Sequence, residues 1–308
     1  MGAARSSLIV ALSLAVLVAL LLGIPSPSPR GRFEYAGLVV APTLVGERNV
    51  KDPEFFRYPD HSLFRDSDGR YYVVVTADRY PAILTTKDLL HYELFAKLNL
   101  SGKVAPFVLY DPQGKDFYLF YSDWGNTISS DVEYARLGLA IAHSERGAVP
   151  KLFTDLGYVT VDGSPLIDPS AGWDPYVVTI DGYYFMIFSA ASHGVHLATA
   201  DGMGTAWRYI GMVTDDRREN PALFYTDRWY LLLGIYDGSG YDLYSSTDFL
   251  RWKLARRMWF LDRSHHVLPA GSTCAFVNGT LYHLYQVPLS NDYISGPFSL
   301  HLAKLRLG

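Results

Sequence analysis

Three carboxylic acids in this chain stand near prolines in similar local sequences, and side chains of this kind can perform acid–base chemistry. Asp60 lies in Tyr-Pro-Asp-His, Asp174 in Trp-Asp-Pro and Glu219 in Arg-Glu-Asn-Pro. Carboxyl groups that converge on one pocket can hydrolyse a glycosidic bond, because one protonates the leaving oxygen while another activates water or attacks the anomeric carbon. Crowding also raises the pKa of such groups, which keeps the acid protonated near neutral pH. The three acids are therefore candidate catalytic residues.

Each candidate also has a structural interpretation. An Asp beside a Pro commonly hydrogen-bonds its own backbone and caps a turn, which would account for Asp60 and Asp174 without any catalysis. Glu219 is harder to explain in this way. Side chains near these acids could bind a sugar, since aromatic rings stack on the apolar faces of pyranoses. The predicted substrate-binding residues are Trp173, Trp124, His61, Arg218 and Tyr236.

Composition excludes several classes of protein. Of 308 residues, 49% are hydrophobic and 19% charged, which excludes a disordered or fibrous chain. The net charge of −4 argues against a nucleic-acid partner. Cys274 is the single cysteine, so an intrachain disulfide and a cysteine metal site are both excluded, and the histidines show no metal-ligand spacing. We therefore predict that no metal site is present and that no cofactor is required.

The elements that must position the acids come from an internal repeat. One pattern occurs five times: an apolar strand, a short turn containing Gly or Asp, and a second strand rich in aromatic residues. Asp-Gly and Asn-Gly, which occupy two of these turns, are the strongest short hairpin signals. An aromatic content of 15% is typical of an all-β protein. The five copies span residues 62–75, 107–121, 176–188, 222–233 and 274–285.

A third strand follows each hairpin, and in three copies an Asp-containing turn then leads to a fourth strand that opens with an aromatic residue. Four strands repeated five times predict a five-bladed β-propeller over residues 33–308. A β-sandwich is the alternative, but it does not explain one hairpin pattern recurring at blade-length spacing. Residues 33–45 are expected to supply an edge strand that closes the ring. The predicted blades begin at Asp60, Pro106, Asp174, Glu219 and Ser272.

The N-terminus predicts contact with a membrane. Residues 8–24 form an uncharged apolar run, so residues 1–24 are predicted to be a signal peptide or an uncleaved signal anchor. The Pro- and Ser-rich residues 25–32 would form a semi-rigid linker. The propeller is then expected outside the cytoplasm, either anchored to the membrane or secreted, and as a monomer.

The repeated hairpins, the Trp-Asp-Pro and Glu-x-Pro sequences and the Ser-x-Asp-x-x-x-Trp turn resemble the five-bladed propeller glycosidases. The nearest resemblance is to glycoside hydrolase family 43, which is related to families 32 and 68. It implies that Asp60 is the general base, that Asp174 tunes the pKa and orients the substrate, and that Glu219 is the general acid. It further implies a carbohydrate substrate and allows one calcium or sodium ion in the central channel.

Departures from the family pattern leave three functions open. Asp60 is followed by His61 where the family has Pro, and the nearby Asp52-Pro53 lies too far from the hairpin turn to align. In the second blade, Val104-Ala-Pro-Phe107 lacks the Trp and the acid of the family. An inverting glycosidase acting on an extracellular oligo- or polysaccharide is the main prediction. The alternatives are a retaining enzyme, in which Asp60 attacks directly, and a non-catalytic propeller that binds carbohydrate or another surface.

Overall fold

The computed structural model describes residues 34–125, 135–166, 168–190, 194–235, 240–258, 271–289 and 297–306. These residues form five antiparallel sheets whose strands follow one another along the chain, as in a five-bladed β-propeller. The predicted all-β fold is therefore confirmed. The predicted signal or anchor segment and its linker lie outside the described residues. Within the described part of the chain, no helix has the length and apolar character needed to span a bilayer.

Each blade runs from an inner strand to an outer strand. Blade 1 contains β2 (Val50–Phe55), β3 (Tyr71–Ala77), β4 (Tyr80–Thr86) and β5 (Glu93–Lys97). Blade 2 contains β6 (Lys103–Asp111), β7 (Asp116–Asp123), β8 (Arg136–His143) and β9 (Thr154–Tyr158). Blade 3 contains β11 (Trp173–Ile180), β12 (Tyr183–Ala190), β13 (Gly194–Ala200) and β14 (Ala206–Thr214), with β10 (Thr160–Asp162) added in parallel to β14. Blade 4 contains β15 (Arg218–Tyr225), β16 (Trp229–Ile235), β17 (Tyr241–Ser246) and β18 (Lys253–Met258).

Blade 5 takes strands from both ends of the described chain. It contains β19 (Ser272–Val277), β20 (Thr280–Pro288) and β21 (Phe298–Arg306), and its fourth strand is β1 (Glu34–Val40). Antiparallel pairing of β1 with β21 closes the ring, which confirms the predicted edge strand. One short helix, α1 (Pro42–Val45), then leads into blade 1. Because β1 precedes blade 1 in the chain and pairs within blade 5, it links these two blades and covers the edge of β21.

The blades pack face to face through apolar side chains. All seven residues of β3 are buried, because both faces of this strand are covered by neighbouring elements. The largest buried side chains include Tyr121, Tyr176, Phe107 and Phe188. Burial of these rings accounts for the high aromatic content, since each fully buried aromatic or aliphatic side chain contributes about 1.5–3 kcal/mol.

Blade 1 departs from the predicted boundaries. Its inner strand is β2 rather than the predicted segment beginning at Asp60, and residues 56–70 lie between β2 and β3. This excursion crosses the ring. The Arg57 N–H donates to the carbonyl of Val108 at 3.1 Å, and the Thr179 N–H donates to the carbonyl of Pro59 at 2.9 Å. The blade start predicted at Asp60 is therefore wrong, because the first hairpin pattern includes part of this excursion.

The excursion closes one end of the central channel. Arg57 Nη2 donates to the carbonyl of Cys274 in blade 5, and His61 Nε2 donates to the carbonyl of Leu223 in blade 4 at 2.9 Å. The Tyr176 hydroxyl of blade 3 bonds His61 Nδ1 at 3.2 Å. Residues 56–65 thus touch the inner strands of blades 2 to 5 downstream of their first residues, and the channel stays open only at the end where those strands begin.

Gly271 lies at this open end and fits there only because it lacks a side chain, and Gly271→Ala tests this. Gly271 has φ +81°, and an added Cβ would overlap the Gln286 amide and lie 2.9 Å from the Asp52 nitrogen. Gly279 has a similar φ of +75° with nothing within 4 Å, so it is the matched control. In urea unfolding, we expect Gly279→Ala to lower the free energy of unfolding by about 1 kcal/mol, from backbone strain alone. Gly271→Ala should lower it by about 2 kcal/mol more, because its Cβ is also crowded. Equal losses would show that the packing around Gly271 is loose.

Candidate active site

The five inner strands begin with the same backbone distortion. A residue in the left-handed region stands at this point in every blade, and a proline follows it in the first four. These residues are Asp52, Ala105, Asp174, Asn220 and Gly271, with φ values of 48°, 46°, 52°, 55° and 81°. The pairing of each of the first four inner strands with its neighbour shifts register at this point, as in a β-bulge. Proline has no N–H to give to the sheet, so it suits a bulge at a strand end.

Side-chain acceptors hold the backbone N–H of each left-handed residue in the first four blades. In blades 1 to 3 the acceptor comes from the second strand of the preceding blade. In blade 4 it is the carboxyl of Asp174, from the inner strand of blade 3. The four bonds are Asp52 N to Gln286 Oε1 at 3.0 Å, Ala105 N to Thr76 Oγ1 at 2.8 Å, Asp174 N to Ser122 Oγ at 3.0 Å and Asn220 N to Asp174 Oδ2 at 3.1 Å.

The distorted strand starts line one pocket at the open end of the channel. Its walls are residues 52–54, 105–106, 174–175, 220–221 and 271–272, so all five blades contribute. The pocket holds about 270 Å³ of space, counting its open mouth. The pocket is therefore an open depression that a ligand can approach from solvent.

Asp174 is the central carboxyl of this pocket. Burial raises its pKa well above the usual value, and the negative charges of Glu219 and Asp52 raise it further. The N–H of Asn220 and the charge of Lys51 act in the opposite direction but are smaller effects. The three acids are therefore near enough to repel one another when they are ionised. A proton retained by one of them removes a negative charge and weakens this repulsion.

Glu219 lies beside Asp174, immediately before Asn220 on β15. Burial raises the pKa of Glu219 to about 7, and the nearby charge of Asp52 contributes to this rise. Lys51 and the indole N–H of Trp173, which donates to the Glu219 carboxylate, lower the pKa. A carboxyl with a pKa of about 7 can give up a proton at neutral pH, which is the property that a general acid needs.

Asp52, rather than Asp60, joins the other two acids. The side chain of Asp52 is 13% exposed and its Oδ2 lies 3.9 Å from Lys51 Nζ. Asp60 is exposed and lies outside the pocket lining. Its Oδ1 accepts the backbone N–H of Ser62 at 3.0 Å and the Ser62 hydroxyl at 2.6 Å, so it caps a turn of the excursion. The structure thus corrects the predicted grouping, since Asp52 occupies the position in the first blade that Asp60 was expected to hold.

Two of the predicted substrate-binding residues also point elsewhere. His61 is buried in the excursion, where burial and Arg57 lower its pKa, so the ring stays neutral and bonds Tyr176 and Leu223. Arg218 pairs with the fully buried Asp242, with Nη2 2.8 Å and Nε 2.9 Å from Asp242 Oδ2. Both side chains already make their contacts within the protein and do not line the pocket.

The predicted aromatic residues have different positions. Trp173 directly precedes Asp174, is buried, and hydrogen-bonds Glu219. The ring of the partly buried Trp124 lies 6.0 Å from that of Trp173, so the two indoles pack near each other. Tyr236 lies outside the described residues. Trp173 therefore acts on the candidate acid itself, in addition to any contact that it makes with a sugar.

Sequence reasoning missed three residues of the site. Asp52 and Glu54 line the pocket, and Gln286 holds the backbone of Asp52. A signal for Asp52 was present, since the dipeptides that begin at 52, 105, 174 and 220 all end in proline and recur once per blade. Alignment on these prolines would have found Asp52, whereas counting back from the hairpin turn fails in the one blade that contains the excursion.

The channel below the pocket does not suit a metal ion. Arg57 lies there with 2% of its surface exposed, and its guanidinium donates to the carbonyls of Cys274 and, at 3.2 Å, His61. These carbonyl oxygens are the groups that would coordinate a calcium or sodium ion, and a cation beside Arg57 would be repelled. Across the described residues, no three His, Cys, Asp or Glu side chains form a group that could hold a metal.

No family model matches the sequence, and no curated protein matches it either. Solved structures do match its fold. A family 117 glycoside hydrolase from the marine bacterium Zobellia galactanivorans is 16% identical with a TM-score of 0.65, and the match covers 90% of this chain and 91% of that one.

Two further solved structures are similar. The family 43 glycoside hydrolase BlXynB from Bacillus licheniformis is 18% identical with a TM-score of 0.57, over 88% of this chain and 54% of that one. An exo-beta-1,3-galactanase from Phanerochaete chrysosporium is 8% identical with a TM-score of 0.62, over 88% of this chain and 64% of that one. These matches confirm the predicted resemblance in fold: the chain has the five-bladed propeller that is found in glycoside hydrolases of families 43 and 117.

Proposed function

We propose that this protein is a glycoside hydrolase in which Glu219 is the general acid, Asp52 the general base and Asp174 the group that tunes Glu219 and orients the sugar. The observation that supports this most is the electrostatic coupling of three carboxyls at the open end of the channel: Asp52 and Asp174 line the pocket, and the charge of Asp52 helps to raise the pKa of Glu219, next to the pocket residue Asn220, to about 7. The glycoside hydrolases with the same fold support the same class of reaction.

The proposed reaction uses the proton of Glu219 first. As the bond between the anomeric carbon and the leaving oxygen breaks, Glu219 gives its proton to that oxygen. Asp52 removes a proton from a water molecule, whose oxygen forms the new bond to the anomeric carbon. The proton lost by Glu219 is matched by the one gained by Asp52, and the two exchange with solvent before the next cycle. This route inverts the configuration of the anomeric carbon.

Asp174 would support both steps without donating to the leaving group. Its Oδ2 accepts the N–H of Asn220, which fixes the carboxyl at the side of the pocket and ties it to the strand that bears Glu219. The charge that helps to keep the proton on Glu219 is that of Asp52, because like charges in a buried site disfavour ionisation. A fixed orientation beside the acid suits a residue that holds a sugar hydroxyl during the reaction.

The substrate is proposed to be an oligo- or polysaccharide outside the cytoplasm, bound by a monomer that is secreted or anchored by residues 1–24. β1 begins at Glu34, opposite Lys304 near the end of β21, and runs towards the open end of the channel. The pocket lies at the starts of the inner strands, so β1 begins at the opposite end of the propeller.

Substitution of the acids tests the proposed function. The purified protein is assayed on arabino-, xylo-, galacto-, fructo- and mannosides, beside Glu219→Gln, Asp52→Asn and the matched control Asp60→Asn. We expect Glu219→Gln and Asp52→Asn each to lower kcat by about 100- to 10,000-fold, which is the usual contribution of general acid–base catalysis. Asp60→Asn should leave kcat unchanged, because this side chain only caps an exposed turn.

Three other results would contradict a specific part of this proposal. Loss of activity in Asp60→Asn with activity retained in Asp52→Asn would overturn the assignment of the base. Binding of oligosaccharide without turnover by the parent protein would indicate a non-catalytic propeller. NMR shows which anomer of the product forms first, and this distinguishes inversion from retention. In a retaining reaction Asp52 would attack the anomeric carbon directly.

The pH dependence of kcat/KM tests the role of Trp173. Glu219 must be protonated to act, so activity is expected to fall as the pH rises through about 7. The Trp173 N–H favours the carboxylate and lowers this pKa. Trp173→Phe removes that bond, so the alkaline limb should move to higher pH, and Lys51→Met should move it in the same direction. An unchanged or lowered limb in both variants would show that Glu219 does not set this titration.

A further inference from the structure

One side chain of the pocket has polar atoms that the protein leaves unpaired and accessible. Asn220 lines the pocket, and the proposed mechanism does not use its side chain. Within the described residues, neither Oδ1 nor Nδ2 of this amide has a hydrogen-bond partner, and both atoms keep accessible surface. Since 8% of the residue stays uncovered, that small surface is the part that lines the pocket, and the amide belongs to it.

The fold brings this amide to a place equivalent to that of two carboxyls. Asn220 is the left-handed residue of blade 4, with φ 55°, as Asp52 and Asp174 are in blades 1 and 3. Its backbone N–H donates to Asp174 Oδ2 at 3.1 Å, and Pro221 restricts the chain on the other side. The side chain is therefore held at the pocket wall by a fixed backbone, beside the carboxyl that is proposed to orient the sugar.

The pocket otherwise offers few hydrogen-bond donors. Asp52 and Asp174 carry carboxyls, whose ionised form only accepts hydrogen bonds. The four prolines of the lining have no N–H, and the N–H groups of the left-handed residues in blades 1 to 4 are already bonded to acceptors. Of the described residues in the lining, Asn220 and Ser272 are polar without being acids, and Ser272 Oγ is enclosed. The Nδ2 of Asn220 is thus the neutral side-chain donor that a ligand can reach.

A sugar hydroxyl needs such a donor. Each hydroxyl carries one proton and two lone pairs, so a wall of acceptors alone does not satisfy it. We propose that Asn220 is a substrate-binding residue whose amide Nδ2 donates a hydrogen bond to one ring hydroxyl of the sugar held in the pocket. This inference rests on the proposed function and adds a residue that contributes to the choice of sugar. A sugar without that hydroxyl would leave the amide unpaired, and sites built to bond a hydroxyl discriminate strongly against such analogues.

Two variants remove the amide and leave the backbone as it is. Gly271 holds the equivalent left-handed place in blade 5 and Ala105 holds it in blade 2, so Asn220→Gly and Asn220→Ala both suit this conformation. Each variant keeps the N–H that donates to Asp174. Asn278→Gly is the matched control, because Asn278 is also left-handed, with φ 49°, and lies exposed in the turn between β19 and β20.

The test measures kcat/KM on the best glycoside of the panel and on its monodeoxy derivatives, each of which lacks one ring hydroxyl. Removal of the contacted hydroxyl should lower kcat/KM in the parent and in Asn278→Gly. In Asn220→Gly this fall should be about tenfold smaller, because the amide that bonds the hydroxyl is already absent. For every other hydroxyl the fall should be the same in all three proteins. A residue that only supports the backbone or the acids would lower kcat/KM by one factor for the glycoside and all its derivatives.

Two further measurements keep the result decisive. Thermal unfolding shows whether Asn220→Gly folds, and Asn220→Ala takes its place with the same expectation if it does not. The parent alone can also refute the inference. If no monodeoxy derivative of the best glycoside loses more than about twofold in kcat/KM, the pocket contains no donor that depends on a single hydroxyl.

The failure of this inference can be distinguished from the failure of the proposed function. If the parent hydrolyses a glycoside and Glu219→Gln does not, the proposed function stands. In that case, kcat/KM unchanged in Asn220→Gly, or lowered by one factor for every derivative, would overturn the role of Asn220 alone. If the parent binds sugars without turnover, the proposed function fails, and the same pattern in the dissociation constants of the monodeoxy sugars still decides the role of Asn220. If the parent neither hydrolyses nor binds any sugar of the panel, both fail.

Discussion

The site depends on hydrogen bonds from one blade to the backbone of the next. A non-glycine residue in the left-handed region costs about 1–3 kcal/mol and persists only where its surroundings hold it. At Asp52 this support comes from Gln286 of blade 5, and at Asp174 it comes from Ser122 of blade 2. Without these bonds the strand starts could relax into regular sheet, and the carboxyls would no longer meet in the pocket.

This support makes the pocket a property of the closed ring. Gln286 belongs to the last blade and Asp52 to the first, so the bond between them forms only when the two blades are adjacent. The pairing of β1 with β21 joins the same two blades at the outer edge. Opening of that edge would remove the support of Asp52 first, while Asp174 and Asn220 would keep bonds that lie within blades 2 to 4. Ring closure therefore completes the candidate site as well as the fold.

The sequence predicts the regular parts of the structure well and the irregular parts poorly. Hairpins recur because each blade needs two apolar strands joined by a tight turn, and that requirement is local. Asp60 was assigned to the wrong position because residues 56–70 leave the sheet and fill the channel. Their contacts are with strands far along the chain, so the local spacing of residues does not reveal them. Arg218 was predicted to bind substrate because it precedes Glu219, but its partner Asp242 lies on a different strand and could not be inferred from spacing. The blade starts predicted at Asp174 and Glu219 fall within one residue of the starts of β11 and β15, because no excursion separates these inner strands from their hairpins.

The charges of the site follow from its position at the mouth of a narrow channel. Asp52, Glu54 and Asp174 line the pocket and Glu219 lies next to it on β15, so full ionisation would place four negative charges close together. Lys51 at the rim and Arg57 below the floor offset only part of that charge. Protons must supply the rest, and the buried groups with raised pKa values are the ones that hold them. The same crowding that costs stability thus leaves Glu219 with a proton to donate, so the acid chemistry of the site arises from its burial.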